Sequence, residues 1–187
     1  MTVGVLAFQG DVREHHEALR ALGAESIDVR SIDDLEKVDA LIIPGGESTV
    51  MSRFLELTGV GTEIKRRGGE GSMPIYGTCA GAIIIAKKVT GKNVPSTLRL
   101  MNITIERNAY GTQMQSFHAD LKIKGCQSPF PVAFIRAPVI TSVGKDVDVL
   151  ASHHGHPVLV REGNLLAGTF HPEVKGEVAV HRLFLAF

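Results

Sequence analysis

An excess of charge of either sign is missing: twenty Lys and Arg balance twenty Asp and Glu. No basic stripe interleaved with aromatic residues runs along the chain, which argues against nucleic acid as a partner. Long apolar runs are also absent. The longest, about Ala80 to Ala86, falls far short of the roughly 20 residues needed to span a bilayer, and the short apolar run at the N-terminus lacks the positive flank of a secretory leader. The expectation is a soluble, cytoplasmic protein with no membrane partner. Cysteine is scarce, and the two that occur, Cys79 and Cys126, lie too far apart in sequence to suggest a disulfide framework. No repeat, low-complexity tract or linker interrupts the 187 residues, whose 44% hydrophobic content is enough to bury a full core as one domain over 1–187. A Ser/Thr-rich phosphate loop after the first strand is missing as well, which weighs against a nucleotide-binding module.

What the chain does have is an alternation of strands and helices in its first half. Thr2 to Phe8, Ser26 to Arg30, Ala40 to Ile43 and Met73 to Tyr76 read as strands, and the pattern predicts a mostly parallel sheet with helices on both faces. Asp11 with Glu14 resembles a capping box that opens a helix to Leu22, stopped by Gly23. Ser48 or Thr49 is placed to cap a second helix to Thr58, with Val50, Phe54 and Leu57 at helical spacing. Glu63 to Ser72 reads as a helix end and exposed loop. Short strands follow from Asn102 to Phe170, with a closing helix from Glu177.

Chemistry concentrates in three segments. In Gly77-Thr78-Cys79-Ala80-Gly81 an apolar strand turns sharply into a helix predicted over Ala80 to Lys88. Glycines on both sides permit the crowded turn of a nucleophile elbow, and the helix N-terminus facing the thiol favours thiolate. The same segment would also suit a small buried cysteine in a packing turn, so the reading needs a base. Among eight histidines, His171 in Phe170-His171-Pro172-Glu173 follows a predicted strand, Asn164 to Phe170. In extended backbone, residues i and i+2 share a side, so Glu173 can hold one ring nitrogen of His171 while the other faces a nucleophile. Pro172 ends that strand at a sheet edge. The third segment, Pro44-Gly45-Gly46-Glu47-Ser48-Thr49, follows a buried strand, and its glycines let backbone N–H groups approach a substrate oxygen; an ordinary tight loop or a phosphate nest would look alike. Gly46 and Ala80 are the candidate oxyanion donors. Gly46 and Cys79 both fall at carboxyl ends of strands, where open α/β sheets place their sites.

These segments carry a resemblance to a family. With Val5-Leu6-Ala7-Phe8-Gln9-Gly10, Glu106-Arg107-Asn108-Ala109-Tyr110-Gly111, Ser116-Phe117 and Phe134-Ile135-Arg136-Ala137-Pro138, the chain resembles the class I, triad-type glutamine amidotransferases. More narrowly, it resembles the glutaminase subunits of pyridoxal 5'-phosphate synthases. The resemblance implies a three-layer, flavodoxin-like α/β fold. It implies Cys79 as nucleophile, His171 as base and Glu173 as its orienter, with Gly46 and Ala80 lining the oxyanion hole. Gly46, Glu47, Ser48, Arg107, Ile135 and Arg136 would bind L-glutamine, an arginine being suited to bidentate carboxylate recognition. No cofactor or metal is implied. The implied partner is a synthase subunit that receives the ammonia and condenses it with a pentose phosphate and a triose phosphate. Three alternatives stay open: a glutaminase subunit serving another synthase, a noncatalytic binding subunit, against which the intact triad argues, and a related cysteine hydrolase. The last would normally carry its histidine directly after the elbow cysteine, where this chain has Ala80.

The remaining histidines read plainly. His15 and His16 lie on the first helix, partly exposed with one facing the sheet. His153, His154 and His156 with Gly155 and Pro157 fit a hairpin turn better than a metal site. His118, His181 and Cys126 are assigned no role.

Overall fold

The computed structural model describes residues 1–107, 116–126 and 128–187. Its first half runs β1 (Thr2–Leu6), α1 (Val12–Ala21), β2 (Glu25–Val29), α2 (Ile32–Leu35), β3 (Ala40–Ile43), α3 (Ser48–Thr58), α4 (Val60–Gly69), β4 (Ile75–Thr78) and α5 (Ala80–Ile85). The second half continues with β5 (Ala86–Thr90), β6 (Met101–Glu106), β7 (Ser116–Leu121), β8 (Phe130–Ile135), β9 (Val139–Val143), β10 (Asp148–His153), β11 (His156–Glu162), β12 (Leu165–Gly168) and α6 (Ala179–Phe184), with a 3₁₀ turn at Glu173–Lys175.

The main sheet has the order β10-β11-β12-β4-β3-β1-β2. Strands β2, β1, β3, β4 and β12 are parallel neighbours, while β10 and β11 add an antiparallel edge. The parallel part follows the flavodoxin-like order. Its strands are apolar on both sides because both sides are covered. Leu41, Ile43, Ile75, Leu165 and Ala167 join one core, and their alternates Ala40, Ile42, Tyr76 and Leu166 join the other. A three-stranded sheet (β5-β6-β9) and the hairpin β7-β8 flank it.

Parallel register sets the site. Ile43 pairs with Gly77 and Gly168 with Thr78, so the loops after β3, β4 and β12 leave side by side. The loop after β1 joins them, since β1 lies against β3. Strand β8 adds a clamp: the His171 N–H donates to the Ala133 carbonyl at 2.7 Å, an isolated bridge that fixes the chain just past β12.

Several expectations change in the structure. The helix expected over Ala80 to Lys88 ends at Ile85, where Ala86 turns extended (φ −64°, ψ 142°) and Lys88, Val89 and Thr90 pair with β6, tertiary pairing overriding local pattern. Glu47, rather than Ser48 or Thr49, is the N-cap of α3, its carboxylate accepting from the Thr49 and Val50 amides. Helix α3 buries Ser48, Met51, Ser52 and Leu55, leaving Val50, Phe54 and Leu57 exposed. Asp11 is the N-cap residue of α1, but its side chain makes no cap bond. Strand β12 lies inside the sheet between β11 and β4, so Pro172 does not mark a sheet edge. Instead of a helix end and loop over Glu63 to Ser72, α4 continues to Gly69. Residues 108–111 of the Glu106 to Gly111 segment lie outside the described residues. The histidine hairpin is as expected, with His153 pairing with His156 across His154 and Gly155.

The elbow depends on glycine. A Cβ on Gly81 would lie 1.9 Å from the Ile43 carbonyl oxygen, and one on Gly77 2.6 Å from the Gly81 backbone. Because these neighbours are backbone, they cannot swing aside. Gly81→Ala is therefore expected to destabilise the fold by about 3 kcal/mol or more, read as a lowered urea midpoint at unchanged slope; an unmoved midpoint would contradict this packing.

Candidate active site

Cys79 sits between β4 and α5 at φ 47°, ψ −101°, a conformation that residues with side chains rarely adopt. Its N–H donates to the Gly168 carbonyl at 2.8 Å, which ties the elbow to the end of β12. The side chain is nearly buried, with Sγ 3.9 Å from the Ile135 carbonyl oxygen. Being the first residue of α5, Ala80 has an N–H without an intrahelical acceptor.

His171 reaches the cysteine from the end of β12. Its Nδ1 lies 2.9 Å from Glu173 Oε1 and 3.1 Å from Asp11 Oδ2. The two-residue reach of His-Pro-Glu arises differently from the extended geometry expected. Pro172 is helical (φ −68°, ψ −35°) and Glu173 begins the 3₁₀ turn, which brings the carboxylate back to the ring. The imidazole also packs on Gly45, where a Cβ would lie 2.3 Å from its Cε1. Burial alone would lower the His171 pKa, but hydrogen bonding to Asp11, Cys79 and Glu173 outweighs it and raises the pKa far above the ordinary 6.5. Glu173 is buried, and that burial pushes its own pKa up against the pull of His171. Between the two, the raised imidazole is the shift the geometry supports, because two carboxylates converge on one nitrogen.

The loop after β3 forms the opposite wall. Gly46 has φ +146° and is exposed. Gln9 clamps this loop, its Nε2 donating to the Glu47 carbonyl at 2.9 Å while its Oε1 accepts the Glu47 N–H at 3.2 Å. Burial opposes ionisation of Glu47, but hydrogen bonds from Thr49 and Val50 and the charge of Arg107 hold its carboxyl below the ordinary value. The Arg107 Nη2 lies 3.2 Å from Glu47 Oε1, and its Nη1 donates to the Asn93 carbonyl.

One cleft of about 320 Å³ gathers Gly46, Glu47, Ser48, Cys79, Ala80, Arg107, Ile135, Arg136 and His171. Of the residues singled out in the sequence, only Glu173 does not line it, standing behind His171. Arg136 and Ile135 are exposed at the end of β8, and Arg136 has φ 46°. Asp11 lines the cleft too. In the sequence Asp11 reads as a helix cap, and no local pattern announces its contact with His171. Gln9 was likewise not assigned to the site. Among the described residues, Asp11, His171 and Glu173 are the trio whose donor atoms, within 4.8 Å of one another, could hold a cation. A cation would need the Nδ1 lone pair, and the two carboxylates favour a proton there instead. His153 stacks on Phe117 and Phe134, and His118 is exposed. A thiol beside an imidazole backed by carboxylates, under backbone N–H groups at a helix start, is an arrangement for attack on a carbonyl carbon.

Comparison with known proteins matches the chain to a family and to a fold. Residues 5–187 match the SNO glutamine amidotransferase family. The "Pyridoxal 5'-phosphate synthase subunit PdxT" of Mycolicibacterium vanbaalenii is 50% identical over 188 residues, covering 98% of this chain and 96% of the relative. Its Thermus thermophilus counterpart is 47% identical over 98% of this chain and 95% of its own length. A crystal structure described as a glutamine amidotransferase superposes with TM-score 0.93 at 47% identity, covering 98% of this chain and 97% of that one. A putative GMP synthase subunit from Thermoplasma acidophilum, 21% identical over 100% of this chain and 92% of that one, has TM-score 0.71 and shares the fold.

Removing either carboxylate is expected to lower the His171 pKa, so Asp11→Asn and Glu173→Gln should each move its NMR titration midpoint downward. A midpoint unchanged in both would contradict the assignment. The stability that a raised histidine pKa contributes is complete below the ordinary 6.5 and fades as pH climbs through the raised value.

Proposed function

The chain belongs to the SNO glutamine amidotransferase family, and on that footing we propose that it hydrolyses L-glutamine to L-glutamate and ammonia as the glutaminase subunit of a pyridoxal 5'-phosphate synthase. The relatives named as subunits of that synthase support this reading along nearly the whole chain. The observation that carries it is a strained cysteine and a carboxylate-backed imidazole on one cleft. The whole of 1–187 is read as one glutaminase domain acting in the cytoplasm. Among the described residues no helix is long and apolar enough to cross a membrane.

Cys79 gives its proton to His171 and attacks the carboxamide carbon of glutamine as thiolate. The amides of Gly46 and Ala80 receive the tetrahedral oxyanion. His171 then protonates the departing ammonia, leaving a γ-glutamyl thioester, and activates the water that cleaves it to glutamate. Glu173 fixes the ring and balances the imidazolium, as the acid of a triad does. Glu47, Ser48, Arg107, Ile135 and Arg136 surround the amino acid end of the substrate, with Arg107 directed to its carboxylate. The ammonia passes to a synthase subunit.

Two experiments test the reading. Glutamate release is measured with and without the cognate synthase subunit, for the wild type and Cys79→Ala. Release that requires Cys79 and rises with the synthase is expected; Cys79-independent release would refute the nucleophile, and stimulation only by a different synthase would reassign the pathway. Arg107→Lys is expected to raise KM for glutamine about tenfold with a smaller change in kcat, since a forked contact is replaced by a point charge. An unchanged KM would remove Arg107 from the substrate site.

A further inference from the structure

Behind Glu173, on the side away from the cleft, lies a buried polar cluster that the proposed chemistry does not use. His15 of α1, Tyr76 and Thr78 of β4 and His181 of α6 are all fully buried. His15 Nδ1 lies 2.8 Å from His181 Nε2, and His15 Nε2 lies 3.3 Å from Thr78 Oγ1 and 3.7 Å from Glu173 Oε1. The Tyr76 ring meets both imidazoles edge-on, at 6.3 and 5.9 Å between centroids. His181 carries no local signal in the sequence, and its contact with His15 spans 166 positions.

The protons of this pair can be placed by elimination. His181 Nδ1 is buried with no hydrogen-bond partner among the described residues. A buried N–H without an acceptor is rarer and costlier than an unmatched lone pair, so the His181 proton belongs on Nε2, donated to His15 Nδ1. His15 must then carry its proton on Nε2, facing Thr78 and Glu173. Burial keeps both rings neutral: His15 falls well below the ordinary value through burial and then its histidine neighbours, and His181 falls to about 4 through burial.

We propose that His15, oriented by His181, is a positioning residue for Glu173, its Nε2–H facing the carboxylate and keeping it ionised and aimed at His171. The inference rests on the triad reading above. At 3.7 Å the N–H acts on Oε1 as a dipole in a low-dielectric interior rather than as a full hydrogen bond, with Thr78 Oγ1 as the direct partner. Glu173 needs such help. It is buried, its Oε2 has no hydrogen-bond partner among the described residues, and Asp11 opposes its ionisation. The groups facing it are His171 from its own segment, Asp11 from the loop before α1, His15 from α1 and Tyr76 from β4.

The test measures glutamate release by the complex with the synthase subunit, as a function of pH, for His15→Phe, His15→Gln, Glu173→Gln and the double variant His15→Phe/Glu173→Gln. His15→Phe is expected to lower kcat about tenfold, the lower end for a contact to a charged group. KM for glutamine should stay constant while the acid limb of the profile moves to higher pH, because Glu173 then protonates more readily. His15→Gln, whose amide N–H can reach the place of Nε2–H, should restore most of the rate and the limb. In the Glu173→Gln background the Phe substitution should cost nothing further. Wild-type kcat and limb in His15→Phe, Gln performing no better than Phe, or an equal loss in both backgrounds would each overturn the proposal. Full activity in Glu173→Gln alone would refute the triad itself and the inference with it. Should His15→Phe fail to fold, His181→Leu, which removes the group orienting His15, is expected to shift the acid limb the same way; an unmoved limb would overturn the proposal.

Discussion

Cys79 holds a backbone conformation that costs on the order of 1–3 kcal/mol, and it persists only because its surroundings leave no other path. Strand β4 enters in parallel register between β3 and β12, and the elbow N–H is bound to Gly168. Helix α5 must then leave over Gly81, whose Cα faces the Ile43 carbonyl with no room for a side chain. The rest of the site hangs on this constraint. The same register that forces the turn sets the loop of Gly46 on one side of the sulfur and His171 on the other.

Electrostatics follows from where those loops meet. Two carboxylates, one partly exposed and one buried, converge on a single nitrogen of His171. That pulls a proton onto the imidazole and, in the proposed mechanism, leaves the thiol as the group that gives it up. The cost is a carboxylate buried at Glu173, which a polar cluster on α1, β4 and α6 stands ready to support. On the opposite wall, Glu47 is held by its own helix, by Gln9 and by Arg107, so the loop after β3 is braced by three separate elements.

The parts legible in the sequence were those whose chemistry is local. Glycines around Cys79, the His-Pro-Glu pair and the Gly-Gly after an apolar strand each announce a backbone need within a few residues, and alternation of strand and helix announced the parallel sheet. What escaped depended on contacts between distant segments. Asp11 and Glu14 carry a capping pattern, yet the Asp11 carboxylate turns to His171, a residue 160 positions away in a segment that only the sheet brings near. The pairing of His15 with His181 has no local signature either. The helix read over Ala80 to Lys88 stops at Ile85, and only the ladder with β6 draws Ala86 to Thr90 out as a strand. In α3, Val50, Phe54 and Leu57 have helical spacing but face outward, because Met51 and Leu55 take the core.

The central claim is that glutamine is cleaved through a covalent bond to the Cys79 sulfur. The most direct measurement is acid-quenched mass spectrometry of the complex with its synthase subunit during turnover of glutamine. The account predicts a γ-glutamyl adduct on the peptide bearing Cys79, lost on treatment with hydroxylamine and missing in Cys79→Ala. Steady glutamate release with an adduct that maps to any other residue, Cys126 included, would contradict it.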